Sequence, residues 1–271
     1  MKIWIYLIFV LFLPVSISAS WAMEETNDDP KLKILSHVYL GDEKEPVSTN
    51  LTLFVDRQVF DFRFNGAETQ QPIEIVIFDR RLKKFVLLDC NRQWKLEVDE
   101  LQLLRIVDGL RAELKDKPAM QSILFDDCSE EFNLDNHEVI LKNDTIEYQM
   151  TGIKPTNKTV LPIYFEFLNQ YTKLSATNPH SSLPPFARLK LNQSIKKFGL
   201  LPASVSLKVQ PIGTRNWALK LSSSHKNDYV FDENDRSKIQ EAKNYWTRFQ
   251  NVSLSKFREI ESADLDSTVK R

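Results

Sequence analysis

Apolar and polar residues alternate along short segments between residues 33 and 98, and this pattern predicts a series of strands. The segments are KILSHVYL, VSTNLTLFV, QVFDFRF, IEIVIF, FVLL and WKLEV. In QVFDFRF, Phe60, Phe62 and Phe64 share one face of the predicted strand, whereas Asp61 and Arg63 share the other. The connections between successive segments are short, which predicts that neighbouring strands are antiparallel.

Asp79 and Asp89 each stand at the end of one of these apolar runs. They are either a catalytic carboxylate pair or residues that start turns. An Asp at the end of a strand hydrogen-bonds its own backbone and starts a turn. A hydrolytic pair instead needs two carboxylates that converge on one cleft. Nothing in the sequence indicates convergence, so the pattern favours turns.

After residue 98 the spacing of apolar residues changes from two to between three and four, which predicts a helix. Asp99, followed three residues later by Gln102, is typical of a capping box at a helix start. The predicted apolar stripe of this helix comprises Leu101, Leu104, Val107, Leu110 and Leu114. A proline at position 118 then predicts a short second helix.

The rest of the chain alternates between strand and helix patterns. Strand patterns occur at EEFNL, EVIL and TIEYQM and at residues 203–210 and 216–223. Helix patterns occur at residues 161–175, at residues 185–199 and after the acidic sequence DEND at residues 232–235. Pro184 and Pro185 open the helix at 185–199, and Gly199 stands at its end. Together the elements predict an α+β fold, in which amphipathic helices cover a curved, half-barrel-like antiparallel sheet.

The two ends of the chain indicate export. Residues 1–22 have the lysine, the apolar run and the small residues of a secretory signal peptide. That run is too short for a comfortable transmembrane helix, so no stable membrane span is expected after cleavage. Residues 23–31 and 262–271 are polar and predicted to be disordered, which leaves residues 32–261 as a single domain. The expected location is the periplasm or the exterior of the cell.

Charge and cysteine content narrow the possible partners. The formal net charge is −1, and Lys and Arg are spread along the chain, which argues against nucleic acid. Cys90 and Cys128 are the two cysteines of the chain. In an exported protein they form either one disulfide or two separately buried thiols. Without a nearby histidine they do not make a zinc site, and neither a metal nor a cofactor is expected.

Motifs of known enzyme classes are not found in the sequence. There is no Gly-x-Ser-x-Gly, no phosphate-binding glycine loop and no His-Glu-x-x-His. The four histidines are scattered, and none has a second ligand at metal-binding helical spacing. The sequence therefore favours a protein that is not an enzyme. An enzyme of another type would be favoured if polar residues such as His137 and Glu147 shared a cleft.

The aromatic residues of the strands allow two interpretations. They are either ordinary core residues or the wall of a cavity that a curved sheet and its helices enclose around an apolar ligand. In the second interpretation, the ligand-binding wall comprises Phe60, Phe62, Phe64 and Trp94.

The sequence IVIFDRRLKKFVLLDCNRQWKLEV, with the paired strands before it, resembles the LolA-like lipoprotein-carrier and lipoprotein-sorting proteins of the periplasm. The resemblance covers residues 47–115 and lies in the succession of strand, Asp, turn and strand that ends in a helix. It implies a half-barrel closed by helices around a cavity for acyl chains. The stretch LPPFARLKLNQSI also resembles uncharacterised exported proteins of planctomycete bacteria.

The sequence therefore yields two hypotheses of function. The first is an exported protein, not an enzyme, that binds a lipid or a lipidated partner in a half-barrel cavity. The second is a structural or protein-interaction module with a filled core and no small-molecule ligand.

Overall fold

The computed structural model describes residues 30–177, 183–210 and 219–257, with residues 118–120 described by their backbone alone. The expected signal peptide at residues 1–22 and the polar tail at 262–271 lie outside these ranges, as do residues 23–29 of the segment expected to be disordered. Pro30 and Lys31, which end that segment, are half-buried and lead directly into the first strand.

Twelve strands and four α-helices make up the described part of the chain. The strands are β1 (Leu32–Leu40), β2 (Ser48–Val55), β3 (Gln58–Asn65), β4 (Glu74–Asp79), β5 (Lys84–Asp89), β6 (Trp94–Asp99), β7 (Ser129–Asn133), β8 (Glu138–Lys142), β9 (Ile146–Ile153), β10 (Leu201–Val209), β11 (Leu219–Asp228) and β12 (Gln250–Asn251). The helices are α1 (Glu100–Lys115), α2 (Leu161–Ser175), α3 (Phe186–Phe198) and α4 (Glu233–Arg248), with 3₁₀ turns at Pro118–Leu124 and Lys158–Val160.

All twelve strands belong to one sheet, whose order is β12-β6-β5-β4-β3-β2-β1-β11-β10-β9-β8-β7. Every neighbouring pair is antiparallel except β12 with β6, which is parallel. The sheet is curved and does not close. The prediction of an α+β fold with a half-barrel-like sheet is confirmed.

Aspartate side chains stabilise the turns after β4 and β5, as the sequence indicated. Asp79 Oδ1 accepts a hydrogen bond from the backbone N–H of Leu82 at 2.9 Å, and Asp89 Oδ1 accepts one from Arg92 at 2.8 Å. Each carboxylate therefore satisfies the backbone of its own turn. The interpretation of Asp79 and Asp89 as turn residues is confirmed.

Capping residues set the helix ends. Asp99 and Gln102 form the predicted capping box at the start of α1, and Asp232 with Asp235 forms another at α4. Gly199 ends α3 in the left-handed region at φ 64°, which glycine adopts without a Cβ penalty. These local signals were all present in the sequence.

The prediction of the apolar face of α1 was partly wrong. Leu101 is 64% exposed, whereas Leu103 is fully buried together with Val107 and Leu114. Leu103, Val107 and Leu114 are spaced four and seven residues apart, so they share one helical face. The face of α1 that packs against the core is therefore rotated from the predicted face. The sequence does not distinguish the two faces, because leucines occur at positions that belong to both.

Strand β11 is longer and more polar than predicted. The sequence predicted a strand at residues 216–223, of which 216–218 lie outside the described residues. The observed strand continues to Asp228 through the polar run SSSHKND. It is central, because β1 pairs with it on one side and β10 on the other. The pairing of two neighbours, and not apolar alternation, keeps this segment extended.

The sheet has a core on each of its faces. We call one the three-helix face, because side chains of α1, α2 and α3 pack there against residues such as Phe54, Phe78 and Phe85. The other is the α4 face, where Ile239 and Ala242 of α4 pack against the sheet. No helix in the described ranges is long and apolar enough to cross a membrane.

Candidate functional site

The residues predicted to form a ligand-binding wall do not share one surface. Phe60, Phe62 and Phe64 are each exposed by 1% or less and pack on the α4 face. Trp94 packs against the core of the three-helix face, with Arg92 5.8 Å and Lys256 5.0 Å from its ring centroid. Alternation along the strands sends the three phenylalanines and Trp94 to opposite faces. The structure therefore places the phenylalanines in a filled core beneath α4.

The two cysteines are also separated by the sheet. Cys90 packs against the α4 core, Cys128 packs against the three-helix core, and both thiols are free. Of the two alternatives, the structure therefore has two separate thiols and no Cys90–Cys128 disulfide. Burial raises the pKa of both, that of Cys90 to about 12.

Alkylation of the unreduced, folded protein is expected to add two adducts, with Cys128 modified faster than Cys90. The reason is that the thiolate is the reactive form and Cys90 is the more deeply buried and the less acidic. Intact-mass measurement over time, followed by peptide mapping, gives both the number and the order. A protein that accepts no adduct until it is reduced would contradict the free thiols.

A row of polar side chains crosses the three-helix face at the border of its apolar core. Direct pairing between neighbouring strands aligns its seven members from β6 to β11. We call it the polar row, and it comprises Trp94, Asp89, Glu74, Arg63, Asn50, Ser36 and His225. All seven are half-buried, so the row borders both the core and open space.

Two ion pairs lie within or beside the polar row. Arg63 Nη2 is 3.1 Å from Glu74 Oε2, and Arg92 Nε is 3.3 Å from Asp89 Oδ2. Both carboxylates are mostly covered, with exposed side-chain fractions of 17% for Glu74 and 16% for Asp89. Pairing lowers the cost of holding these charges beside an apolar core.

Asp61 lies one row deeper and is buried at 4% exposure. Its carboxyl group accepts hydrogen bonds from Thr52 Oγ1 at 2.6 Å, Tyr171 Oη at 2.9 Å and Asn50 Nδ2 at 3.0 Å. Burial raises the pKa of Asp61, although the three hydrogen bonds oppose that shift. Tyr171 belongs to α2, so this cluster attaches the helix to the sheet.

His225 is the imidazole of the polar row. Its Nδ1 is 2.8 Å from Ser36 Oγ and its Nε2 is 2.9 Å from Ser223 Oγ. Burial lowers the pKa of His225 to about 4, and the nearby charge of Arg188 adds to the effect. A serine next to a histidine is the geometry of an activated nucleophile. An imidazole with so low a pKa is a weak base, which does not favour general-base catalysis by this pair.

His137 and Glu147 do not share a cleft. Glu147 pairs with Lys142 at one end of the β8–β9 ladder, and the backbone carbonyl of His137 accepts from Gly152 at the other end. Glu147 forms ion pairs with Lys208 and Lys142 instead. The shared cleft that would have favoured an enzymatic role for His137 and Glu147 is therefore not present at these two residues.

The helices of the three-helix face cover only part of the sheet. Along β1, exposure on this face rises from 0% at Leu32 and 5% at Ile34 to 42% at Leu40. Val209 of β10 and Leu219 and Leu221 of β11 are likewise only half-buried, whereas Leu207, which pairs with Leu221, is buried at 8% exposure. We call this surface the open strip, and it comprises Val38, Leu40, Val209, Leu219 and Leu221.

Among the cavities lined by described residues, the following ones lie away from the residues of the open strip. One of about 430 Å³ lies between the end of α1 and the β8–β9 turn, near Asp126 and Asp144. One of about 380 Å³ lies between α2 and α3, near Phe165 and Lys196. The third, also about 380 Å³, is lined by Cys90 and by residues of α4. None of them is lined by Phe60, Phe62, Phe64 or Trp94.

Within the described residues, no group of three or more His, Cys, Asp or Glu side chains is placed to hold a metal ion. The acidic residues around the 430 Å³ cavity therefore do not form such a group.

Comparisons with known proteins do not identify a family. No protein-family model matches the chain, and no curated protein matches it. Among solved structures, a DNA polymerase III subunit beta from Borrelia burgdorferi, in complex with a natural product, aligns at 8% identity with a TM-score of 0.11. The alignment covers 75% of this chain and 58% of that chain. A superposition with so low a score carries no argument about fold or function.

Proposed function

We propose that this chain is an exported protein, not an enzyme, that binds an amphipathic ligand such as a lipid or the acyl chain of a lipidated partner. The ligand lies on the open strip and not beneath α4. The resemblance of residues 47–115 to the LolA-like carriers implies the same class of ligand. The proposal moves the site from the predicted phenylalanine wall to the part of the sheet that the helices leave uncovered.

The rise in exposure along β1 carries the proposal. Leu32, Ile34, Val38 and Leu40 all face the three-helix side, yet only the first two are buried, whereas Val38 is half-buried and Leu40 is exposed. A contiguous apolar surface beside polar groups is typical of a binding site, because isolated exposed apolar residues need no partner but a patch does. The polar row borders the open strip at Ser36 and His225. The surface therefore offers apolar contacts for the chain of an amphipathic ligand and hydrogen-bonding groups for its polar end.

Titration of delipidated protein with Nile red, a neutral apolar dye, tests the proposal. Saturable binding is expected, and Leu221→Gln is expected to weaken it about tenfold, since one buried leucine contributes roughly 1.5–3 kcal/mol. Leu101→Gln is the matched control, because that leucine is 64% exposed on α1 and far from the open strip. The control is expected to bind the dye as the unmodified protein does.

Two results would count against this function. Absence of saturable dye binding by folded, delipidated protein would remove it altogether. Equal binding by Leu221→Gln and the unmodified protein would show that the dye binds elsewhere. Melting curves for each variant separate lost binding from lost folding.

A structural or protein-interaction module is the second candidate, and one observation favours it. Phe60, Phe62 and Phe64, the residues predicted to line a cavity, fill a core with exposures of 1% or less. Several large apolar residues are instead exposed at the surface, among them Leu134 at 75% and Val230 at 72%. A folded protein that binds no dye would favour this candidate.

A further inference from the structure

The cavity between α2 and α3 has an apolar floor and a polar rim. Its volume is about 380 Å³, which lies within the range of roughly 300–1,000 Å³ that is usual for small-molecule sites. The residues that line it are Leu161, Pro162, Phe165, Glu166, Asn169 and Lys196. Phe165 is buried at 4% exposure, whereas Lys196 is exposed. The cavity therefore offers apolar contacts at its base and polar groups near solvent.

Two of the polar groups at this cavity have no partner within the described ranges. The side-chain amide of Asn169 makes no hydrogen bond there, although the residue is half-buried. The ammonium group of Lys196 forms neither an ion pair nor a hydrogen bond there. Both groups donate hydrogen bonds, so both are available to a ligand that enters the cavity.

The third polar group, the carboxylate of Glu166, is already paired with two cations. Its Oε2 lies 2.9 Å from Arg80 Nε and 2.8 Å from Arg80 Nη2, and its Oε1 accepts a hydrogen bond from Lys83. Because two cations face one carboxylate, this part of the cavity rim carries a net positive charge. Lys196 adds a further positive charge from α3. The charge of the cavity therefore complements an anion.

The first turn of α2 adds to this positive character. Leu161 and Pro162 are the first two residues of a 15-residue helix, and both line the cavity. The N-terminal end of a helix dipole favours negative charge within about one turn. Lys196 belongs to the last turn of α3, where its charge offsets the negative end of that helix. Both helix ends are therefore compatible with an anion beside the apolar floor.

We propose that this cavity binds a small carboxylate that carries an aromatic ring. The ring packs against Leu161, Pro162 and Phe165. The carboxylate accepts a charge-assisted hydrogen bond from Lys196 and a further hydrogen bond from the amide of Asn169. Flat apolar side chains such as those of proline and phenylalanine suit a ring, whereas the open strip is extended and suits a chain. The inference goes beyond the function proposed above, because the cavity lies away from the open strip.

Fluorine NMR titration of the protein tests the inference. The probes are 3-(4-fluorophenyl)propanoate and the corresponding amide, which have the same ring and shape and differ in charge. The carboxylate is expected to bind saturably and about tenfold more tightly than the amide, because a hydrogen bond to a charged group is stronger than one between neutral groups. Propanoate, which has the charge and no ring, is expected to displace the fluorinated carboxylate only at a much higher concentration than 3-phenylpropanoate does.

Lys196→Met is expected to abolish the advantage of the carboxylate over the amide, while binding of the amide is retained. Methionine keeps the apolar stem of the side chain and removes the charge. Lys190→Met is the matched control, because Lys190 is a cation of the same helix that does not line the cavity, and it is expected to change neither probe. Asn169→Ala removes one donor and is expected to weaken binding of the carboxylate about fivefold. None of the three positions is buried, so all three variants are expected to fold.

The outcomes also separate this inference from the proposed function. Absence of saturable binding, equal binding of carboxylate and amide, or equal losses in Lys196→Met and Lys190→Met would overturn the inference. Displacement of Nile red by the carboxylate, combined with weaker carboxylate binding by Leu221→Gln, would place the carboxylate on the open strip and overturn the inference as well. Saturable carboxylate binding that depends on Lys196, in a protein that does not bind Nile red, would support the inference and remove the function proposed for the open strip.

Discussion

Phe62→Ala is expected to lower the free energy of unfolding by about 3–5 kcal/mol, the usual loss for a buried phenylalanine. Phe62 is 1% exposed and lies in the middle of β3 on the α4 face. Truncation removes an aromatic ring from the core beneath α4 and leaves a cavity there. The loss of stability is large when the surrounding residues do not move in to fill such a cavity. Against a typical total stability of about 5–15 kcal/mol, the loss is severe.

The measurement is urea denaturation of Phe62→Ala beside Leu101→Ala. Leu101 is 64% exposed, so its truncation is expected to change the free energy of unfolding by about 0.5 kcal/mol or less. Nile red binding by the Phe62→Ala protein that remains folded is expected to be retained, because the residue and the open strip lie on opposite faces. Unchanged stability combined with lost dye binding would instead restore the predicted phenylalanine wall as the ligand site.

Asp61→Ala is expected to destabilise the protein by roughly 3 kcal/mol, because it leaves one buried and two half-buried donors without their acceptor. Those donors are the side chains of Thr52, Asn50 and Tyr171. The last of these belongs to α2, so the substitution also loosens the helix from the sheet. Tyr171→Phe removes one of the three hydrogen bonds and is expected to cost about 1 kcal/mol.

The same carboxyl group makes stability depend on pH in a direction that can be stated. Burial raises the pKa of Asp61 above its ordinary value of about 3.9, so the folded protein binds this proton more tightly than the unfolded chain does. The contribution to stability is therefore fully present below pH 4 or so, and it is lost as pH rises through the raised pKa.

Asp61→Asn isolates this effect, because the amide resembles the protonated acid and does not titrate. The difference in unfolding free energy between unmodified protein and Asp61→Asn is expected to shift in favour of the variant from pH 4 to pH 8. His225 works in the opposite direction, because its folded pKa of about 4 lies below its unfolded value and its contribution grows as pH rises. Its contribution is common to both proteins and cancels in the difference. A constant difference across this range would contradict the raised pKa of Asp61.

The elements were predictable wherever their cause is local. Asp79 and Asp89 start turns, Asp99 caps α1 and Gly199 ends α3, because each of these residues acts on backbone groups within four positions of itself. The sequence pattern therefore contained the cause in full. The buried face of α1 was predicted wrongly in part, because Leu101 and Leu103 belong to two similar apolar faces. Only packing against the rest of the protein decides which of the two faces is buried.

The candidate site was less predictable, because its parts are distant in sequence. Ser36 and His225 are neighbours only after β1 pairs with β11, and the run SSSHKND gave no apolar alternation to indicate a central strand. One signal was present: Asp61 and Arg63 lie opposite three phenylalanines in a strand that proved to be buried on both faces. A polar residue at such a position needs a partner from elsewhere in the fold, and sequence does not name that partner.

The sequence by itself determined most of the strands, their turns, the caps and the α+β class, since these follow from periodicity and from short-range hydrogen bonds. Tertiary structure alone decided which face each strand presents to which helix. It placed Phe60, Phe62 and Phe64 under α4, put Cys90 and Cys128 on opposite sides of the sheet, and left the open strip only partly covered. Those outcomes depend on how far each helix extends over a curved sheet, which is set by packing between residues distant in the chain.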